Sequence, residues 1–351
     1  MNPALAKVAS AAPPSLDYPY VTPPTLGETM EVGPGCLWLR MPLPFALDHI
    51  NLWMLKDGDG WTLVDTGLNQ PVTQEAWDKI FAHHGTRINR LIVTHCHPDH
   101  FGLAGWLTRR FDVPLWMPQA EFLAGHALYA ETSGHGTQRT LELFAAHGLE
   151  PAKQESMNQR GNSYRRGVYD PPVQYRRIHG DDVINIGTHR WRVIFGSGHS
   201  PEHAALYCES LGLLISGDML LPKISTNVSV WAQEPESDPV KLFLNSIDLF
   251  QPLPRDTLTL PSHGLPFRGM HARIEQLHRH HEDRLGEVLE KCQDWTTASD
   301  LLSVLFRRAL DTHQTFFAMG EAIAHLNYLW HQGKLQREKD PHAVYRFRRK
   351  N

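Results

Sequence analysis

Cysteine is scarce in this chain. There are four in 351 residues (Cys36, Cys96, Cys208 and Cys292), far apart and with no CxxC pair. That spacing argues against a disulfide framework and suits a reducing cytoplasm. Long apolar runs are missing as well: none approaches the roughly 20 residues that cross a bilayer, so no membrane segment is expected. Met1 to Ser15 carries one lysine and alanines broken by polar residues and prolines, without the sustained apolar stretch of a signal peptide. Charge of one sign is not in excess. The formal net charge of -4 gives no global field that would draw the molecule to nucleic acid or an anionic membrane. The length supports a full core and more than one domain. Histidine, by contrast, is plentiful at 22, which favours metal chemistry.

The histidines are densest in His95-Cys96-His97-Pro98-Asp99-His100, directly after the apolar run Arg90 to Thr94. The run reads as a short buried strand. Pro98 disfavours helix at His97, so the segment after the strand is expected to be a loop. Phe101 to Phe111 then places Leu103, Trp106, Leu107 and Phe111 at helical spacing. A loop between a strand end and a helix start is where α/β folds place ligands. Neutral imidazoles with a carboxylate suit a borderline divalent cation such as zinc. Cys96 is a possible soft ligand by type, but alternation points it away from His95 and His97.

The same setting recurs along the chain. Arg190 to Phe195 reads as a strand and leads to Gly198-His199; Leu213 to Ser216 leads to Gly217-Asp218; Thr257 to Leu260 leads to Ser262-His263-Gly264. Four strand ends thus deliver His or Asp to loops that can converge on one site. Asp65, closing the strand Trp61 to Gly67, is expected to orient a metal-bound histidine or, alternatively, to cap its turn, and Thr94 is expected in a supporting role. Earlier strands are expected at 35–40 and 49–55, a helix at 71–84, and a strand at 113–117. An irregular insertion at about 118–175 has helical pieces at 121–131 and 138–147. Its Arg160, Arg165 and Arg166, with Arg176 and Arg177 just after it, form a candidate substrate wall for an anionic group. From Met270 the pattern turns helical (273–292, from Thr296 or Thr297 to 305, and 316–331) and ends in a hairpin at 334–349 rich in lysine and arginine. The expected organisation is a lead-in at 1–29, a catalytic domain at 30–269 and a winged-helix-like domain at 270–351.

His95-Cys96-His97-Pro98-Asp99-His100, with Gly198-His199, Gly217-Asp218 and His263-Gly264 following in order, resembles the HxHxDH signature and later motifs of the metallo-β-lactamase superfamily over about Val32 to Arg268. The C-terminal part is similar to the winged-helix extension of some members, including relatives of a human β-lactamase-like endoribonuclease. The resemblance implies an α/β fold, a four-layer αββα sandwich, followed by a mostly helical C-terminal domain. It also implies a dinuclear centre. His95, His97 and His199 would bind one cation, Asp99, His100 and His263 the other, and Asp218 would bridge them. The cations are expected to be zinc, with iron or manganese as alternatives. A metal-bridging hydroxide would attack the substrate, with Asp99 also able to steer it. His203, four residues beyond His199, is a candidate proton donor to the leaving group or, alternatively, a support that holds the loop.

The reaction class expected is hydrolysis of a small thioester or ester, as in the hydroxyacylglutathione hydrolase (glyoxalase II) branch, with the insertion arginines holding an anionic carrier. Ser262-His263-Gly264 departs from that branch's Gly-His-Glu-Tyr setting, which argues against glutathione itself. The alternative is an endoribonuclease or phosphodiesterase on single-stranded RNA, favoured by the basic tail. The C-terminal domain could also serve as a homodimer contact.

Overall fold

The computed structural model describes residues 15–132 and 134–350. The expectation that Met1 to Ser15 is no signal peptide therefore falls, Ser15 apart, outside the described residues. The first sheet runs in spatial order β1 (Met30–Gly33), β2 (Cys36–Pro42), β3 (His49–Asp57), β4 (Gly60–Val64), β5 (Ile88–Ile92), β6 (Leu115–Pro118) and β7 (Arg176–Ile178). Strands β1 to β4 are antiparallel neighbours, joined between β3 and β4 by the Gly58 turn; β4 to β7 are parallel. Parallel pairing needs crossovers. These are α1 (Pro71–His84), then α2 (Pro98–Phe101) with α3 (Ala104–Phe111), then the insertion with α4 (Gln119–Ala130), α5 (Thr137–Ala146), α6 (Pro151–Gln159) and α7 (Ser163–Gly167).

The second sheet comprises β8 (Val183–Ile186), β9 (His189–Gly196), β10 (His203–Cys208), β11 (Leu213–Gly217) and β12 (Leu258–Pro261), in the order β12-β11-β10-β9-β8. Helix α8 (Pro239–Asp248) carries the parallel crossover from β11 to β12. The chain ends in α9 (Met270–Lys291), α10 (Ala298–Leu305), α11 (Thr312–His331) and the hairpin β13 (Leu335–Lys339) and β14 (Tyr345–Arg349).

Strand alternation builds three apolar interfaces between four layers. In the first sheet Leu52, Leu63 and Leu91 face Trp77 and Phe81 of α1 and Leu107 of α3. Their neighbours Trp53, Val64 and Ile92 face the opposite way and meet Trp191, Leu206 and Ile215 of the second sheet. The outer face of that sheet, with Ala205 and Leu214, is covered by Phe243 of α8, Ile274 of α9 and Ile323 of α11. The architecture is therefore the αββα sandwich. The C-terminal helices continue its last apolar layer, so α9 starts near the expected boundary but shares a core with what precedes it.

Several elements differ from the sequence-based reading. The segment after His97 is not all loop: Pro98 sits at the first position of α2, where its missing N–H is not needed. The single helix expected over 101–111 is broken at Gly102-Leu103 into α2 and α3. Helix α11 begins at Thr312 rather than Phe316, because Asp311 and Gln314 form a capping box. Helix α10 starts after Thr297, one of the two caps expected, in a box with Asp300. Helices α6 and α7 and strand β7 carry no periodic signal strong enough to have been expected, whereas α8, amphipathic and capped by Asp238 ahead of Pro239, carries one that the sequence-based reading passed over. No helix among the described residues is long and apolar enough to cross a membrane.

Candidate metal centre

The C-terminal ends of β4, β5, β9, β11 and β12 lie on one rim of the sandwich and deliver Asp65, His95, His199, Asp218 and His263. Backbone bonds lace the loops together. Ala204 N–H donates to Thr94 O at 3.0 Å, Ser262 N–H to Gly217 O at 3.1 Å, and Asn51 N–H to Ser262 O at 2.7 Å. Asn51 Nδ2 also donates to Pro261 O at 2.8 Å.

Two side-chain groups result. His95, His97, His199 and Asp218 form one; Asp99, His100 and His263 form the other; in each, one donor atom per residue lies within 4.8 Å of the rest. Asp218 faces both. Its Oδ2 is 3.2 Å from His199 Nε2 and 3.9 Å from His95 Nε2, while its Oδ1 is 3.4 Å from His263 Nε2 and 3.5 Å from His100 Nε2. Asp99 Oδ2 completes the second group at 3.5 Å from His263 Nε2 and 3.8 Å from His100 Nε2.

Partners behind the rings fix their orientation. His199 Nδ1 donates to Asn227 O at 2.7 Å and His263 Nδ1 to His49 O at 2.8 Å. A carbonyl only accepts, so both rings carry hydrogen on Nδ1 and turn Nε2 inward. His100 Nδ1 lies 2.8 Å from Asp65 Oδ2. Asp65 Oδ1 accepts from Thr94 N–H at 2.8 Å, and Thr94 Oγ1 donates to Asp65 Oδ2 at 2.9 Å. Asp65 has a φ of 62°, a left-handed conformation that aspartate tolerates better than most residues.

The donor set fits divalent cations. His95 Nε2 and His199 Nε2 are only 3.3 Å apart, and His95 Nε2 and His97 Nδ1 only 2.9 Å. Converging imidazole nitrogens at this spacing want an electrophile between them. His100 Nε2 and Asp218 Oδ1 are buried without a hydrogen-bond partner, a costly arrangement for a site meant to stay empty. Burial, aided by the neighbouring histidines, holds His95 and His97 well below the ordinary imidazole range. Burial also opposes charge on His100, yet Asp65, Asp218 and Asp99 outweigh it and raise its pKa well above the usual value. Asp218 is held well below the carboxylate range: burial works against its charge, but His263 and His100 prevail.

Cys96 lies outside both groups. Its side chain belongs to the apolar layer outside the first sheet, and burial pushes its thiol well up. His203 is fully buried, and its Nε2 accepts the N–H of Asp218 at 3.1 Å. A Cβ on Gly217 (φ 54°) would fall 2.3 Å from that ring, so only glycine lets the Asp218 turn close over His203. Of the two roles weighed from sequence, proton donor and loop support, this contact is of the kind a loop support makes.

Several supporting residues carried no sequence signal. Glu121, fully buried in the first turn of α4, accepts Cys96 N–H at 2.9 Å on Oε2 and Glu202 N–H at 2.6 Å on Oε1. One carboxylate thus clamps the His95–His97 loop to the His199–His203 loop. Burial raises its pKa against the pull of these donors. Tyr164 of α7 donates to Cys96 O at 2.5 Å. Asn227 is held by Ser229 Oγ at 2.7 Å and faces Glu321 of α11 at 3.3 Å. These roles depend on tertiary proximity and leave no mark on local pattern. The insertion arginines scatter: Arg160 meets His313 at 3.4 Å, while Arg165 and Arg176 stack on Tyr129 and Trp116 at 5.2 and 4.1 Å.

Comparison with known proteins agrees with this geometry. Residues 46–263 match the family described as the metallo-beta-lactamase superfamily, and residues 285–350 match the metallo-beta-lactamase-like C-terminal domain. A beta-lactamase domain protein from Burkholderia ambifaria is 47% identical in a superposition covering 95% of this chain and 98% of that one, with a TM-score of 0.89. A metallo-beta-lactamase family protein from Thermus thermophilus is 31% identical, with 90% and 99% covered and a TM-score of 0.77. A probable metallo-hydrolase of Bacillus subtilis, YqjP, is 25% identical over 299 residues, 83% of this chain and 91% of its own length. The chain belongs to the metallo-beta-lactamase superfamily of metal-dependent hydrolases.

Proposed function

We propose that the protein is a two-metal hydrolase of a small carboxylic ester or thioester. The observation that carries this reading is the position of Asp218, whose two oxygens each face a different histidine group. His95, His97 and His199 would hold one cation, and Asp99, His100 and His263 the other. Zinc is the cation best matched to this donor set, with iron or manganese as alternatives. A pair of divalent cations supplies Lewis acidity, acidifying water and polarising the scissile carbonyl. The chain does the rest. Asp65, Asn227 and His49 fix which imidazole nitrogen faces inward. Asp99, the more exposed of the acidic pair at 18% against 8% for Asp218, is placed to orient the attacking water. His203 positions Asp218.

A small ester is favoured over RNA because much of the hairpin's positive charge is already engaged. Arg337 pairs with Glu236 and lies over Trp330 at 3.8 Å; Arg346 pairs with Asp340 at 2.9 Å; Arg348 lies over Trp295 at 4.6 Å. All four cysteines are free and buried, which suits a reducing cytoplasm. The test is to assay zinc-loaded protein and its Asp218→Ala variant on a thioester and ester panel beside labelled single-stranded RNA. Ester turnover that is lost in the variant supports the reading. Intact esters with Asp218-dependent RNA cleavage would reverse it.

A further inference from the structure

A groove of about 140 Å³ lies between the insertion and the start of α11, lined among others by Leu141, Met157, Arg160, Tyr164, His313 and Phe317. We propose that it is the acyl-side subsite, taking an aryl-sized apolar group that carries a carboxylate. The proposal rests on the ester reading and names the substrate class for it.

Both walls of the groove lead to the metal centre. Tyr164, on one side, donates to the carbonyl of Cys96, the residue between His95 and His97. On the other, Phe45 stacks on His313 with ring centroids 4.8 Å apart and planes 19° apart. Phe45 belongs to the β2–β3 connection, which ends at His49, and His49 O receives His263 Nδ1. The groove is therefore joined to the His95–His97 loop by a direct hydrogen bond, and to His263 through the chain connection from Phe45 to His49.

Its chemistry defines the occupant. Leu141, Met157, Tyr164 and the edges of Phe316 and Phe317 supply apolar walls. Phe45, Phe316 and Phe317 are 42%, 39% and 41% exposed, a density of uncovered aromatic surface that the fold itself does not require. A dry cavity of about 150 Å³ accepts one benzene ring, so this volume suits one aryl or branched alkyl group. Arg160 supplies the polar anchor. Among the described residues no carboxylate lies within ion-pair distance of it, and its polar neighbour is the half-buried ring of His313. His135 Nδ1, also on the lining, is buried without a hydrogen-bond partner. A guanidinium without a carboxylate partner, set against apolar walls, recognises an anion attached to an apolar body.

The test compares wild type with Arg160→Met and Phe317→Ala, both partly exposed positions whose folding is checked by thermal midpoint. Two readouts are used on the metal-loaded full chain. The first is calorimetric titration with phenylsuccinate; the second is kcat/KM for a phenylsuccinyl thioester against an acetyl thioester. Expected results are phenylsuccinate binding weakened at least tenfold in each variant, and a loss of kcat/KM on the phenylsuccinyl substrate at least tenfold greater than any loss on the acetyl substrate. Equal binding by all three proteins overturns the subsite. Binding that weakens as expected while no thioester is turned over overturns the ester reading and leaves the subsite standing.

Discussion

At the residue scale, the centre depends on side chains that never touch a cation. Glu121 is the clearest case. It is buried, without a cationic partner among the described residues, and spent on backbone N–H groups of two ligand loops. Glu121→Ala leaves those donors unsatisfied, at about 1–3 kcal/mol each. Urea denaturation should show a loss of that order, and dialysed protein should retain less metal than wild type. An unchanged unfolding midpoint would remove Glu121 from the framework. His203 belongs with it: once Gly217 closes over the ring, its contact is the N–H of Asp218.

At the element scale, α11 acts as a strut behind His199. Val230 N–H donates to Gly320 O at 3.2 Å, and a Cβ on Gly320 would lie 2.8 Å from Ser229 Cβ. The segment that presents Asn227 to His199 is therefore pressed against the helix. Gly320→Ala should cost about 1–3 kcal/mol by overpacking, and Ser229→Gly in the same chain should restore part of it, the lost Ser229 Oγ bond to Asn227 keeping back the rest; thermal melts of the single and double variants check this. How far such relations can be read from sequence follows from range. The strand-end motifs at His95, His199, Asp218 and His263 are legible because each ligand follows its own apolar strand. Alternation within β3 to β5 separates Leu91 from Ile92 and so foretells two buried faces. Asp65 is legible for the same reason as the ligands. The Asn227 and Glu121 contacts are not, since they join segments 28 and 25 or more residues apart through backbone atoms that any sequence supplies. Helix α2 escapes because proline forbids helix before itself but tolerates the first turn.

At the scale of the whole molecule, a second histidine group sits away from the metal rim, between α8, α9 and α11. His281 stacks on His325 at 5.6 Å and faces Phe243, with His280, Arg284 and Glu321 nearby. Burial lowers His281 to about 3 and His325 to about 4, and raises Glu321 to about 7. Each histidine is neutral when folded and protonated when unfolded below its ordinary value of about 6.5, so stability is full above that pH and falls as pH drops towards the folded values. Glu321 acts in the opposite sense, losing stability as pH rises from 4.5 to about 7. Within this group the two histidines outweigh it, and below 4.5 its contribution has ended while theirs continues. In chelator, His281→Leu should therefore flatten the fall in thermal midpoint between about pH 6.5 and 4; an unchanged slope would mean that the ring is hydrated. Above all, the molecule is organised to bring two donor groups to one carboxylate. The most direct measurement is metal content per chain, by elemental analysis after zinc loading and gel filtration, for wild type and His263→Ala. The account predicts two cations in wild type and one in the variant, which spares the His95, His97 and His199 group. One cation in wild type, or a variant that still holds two, would contradict it.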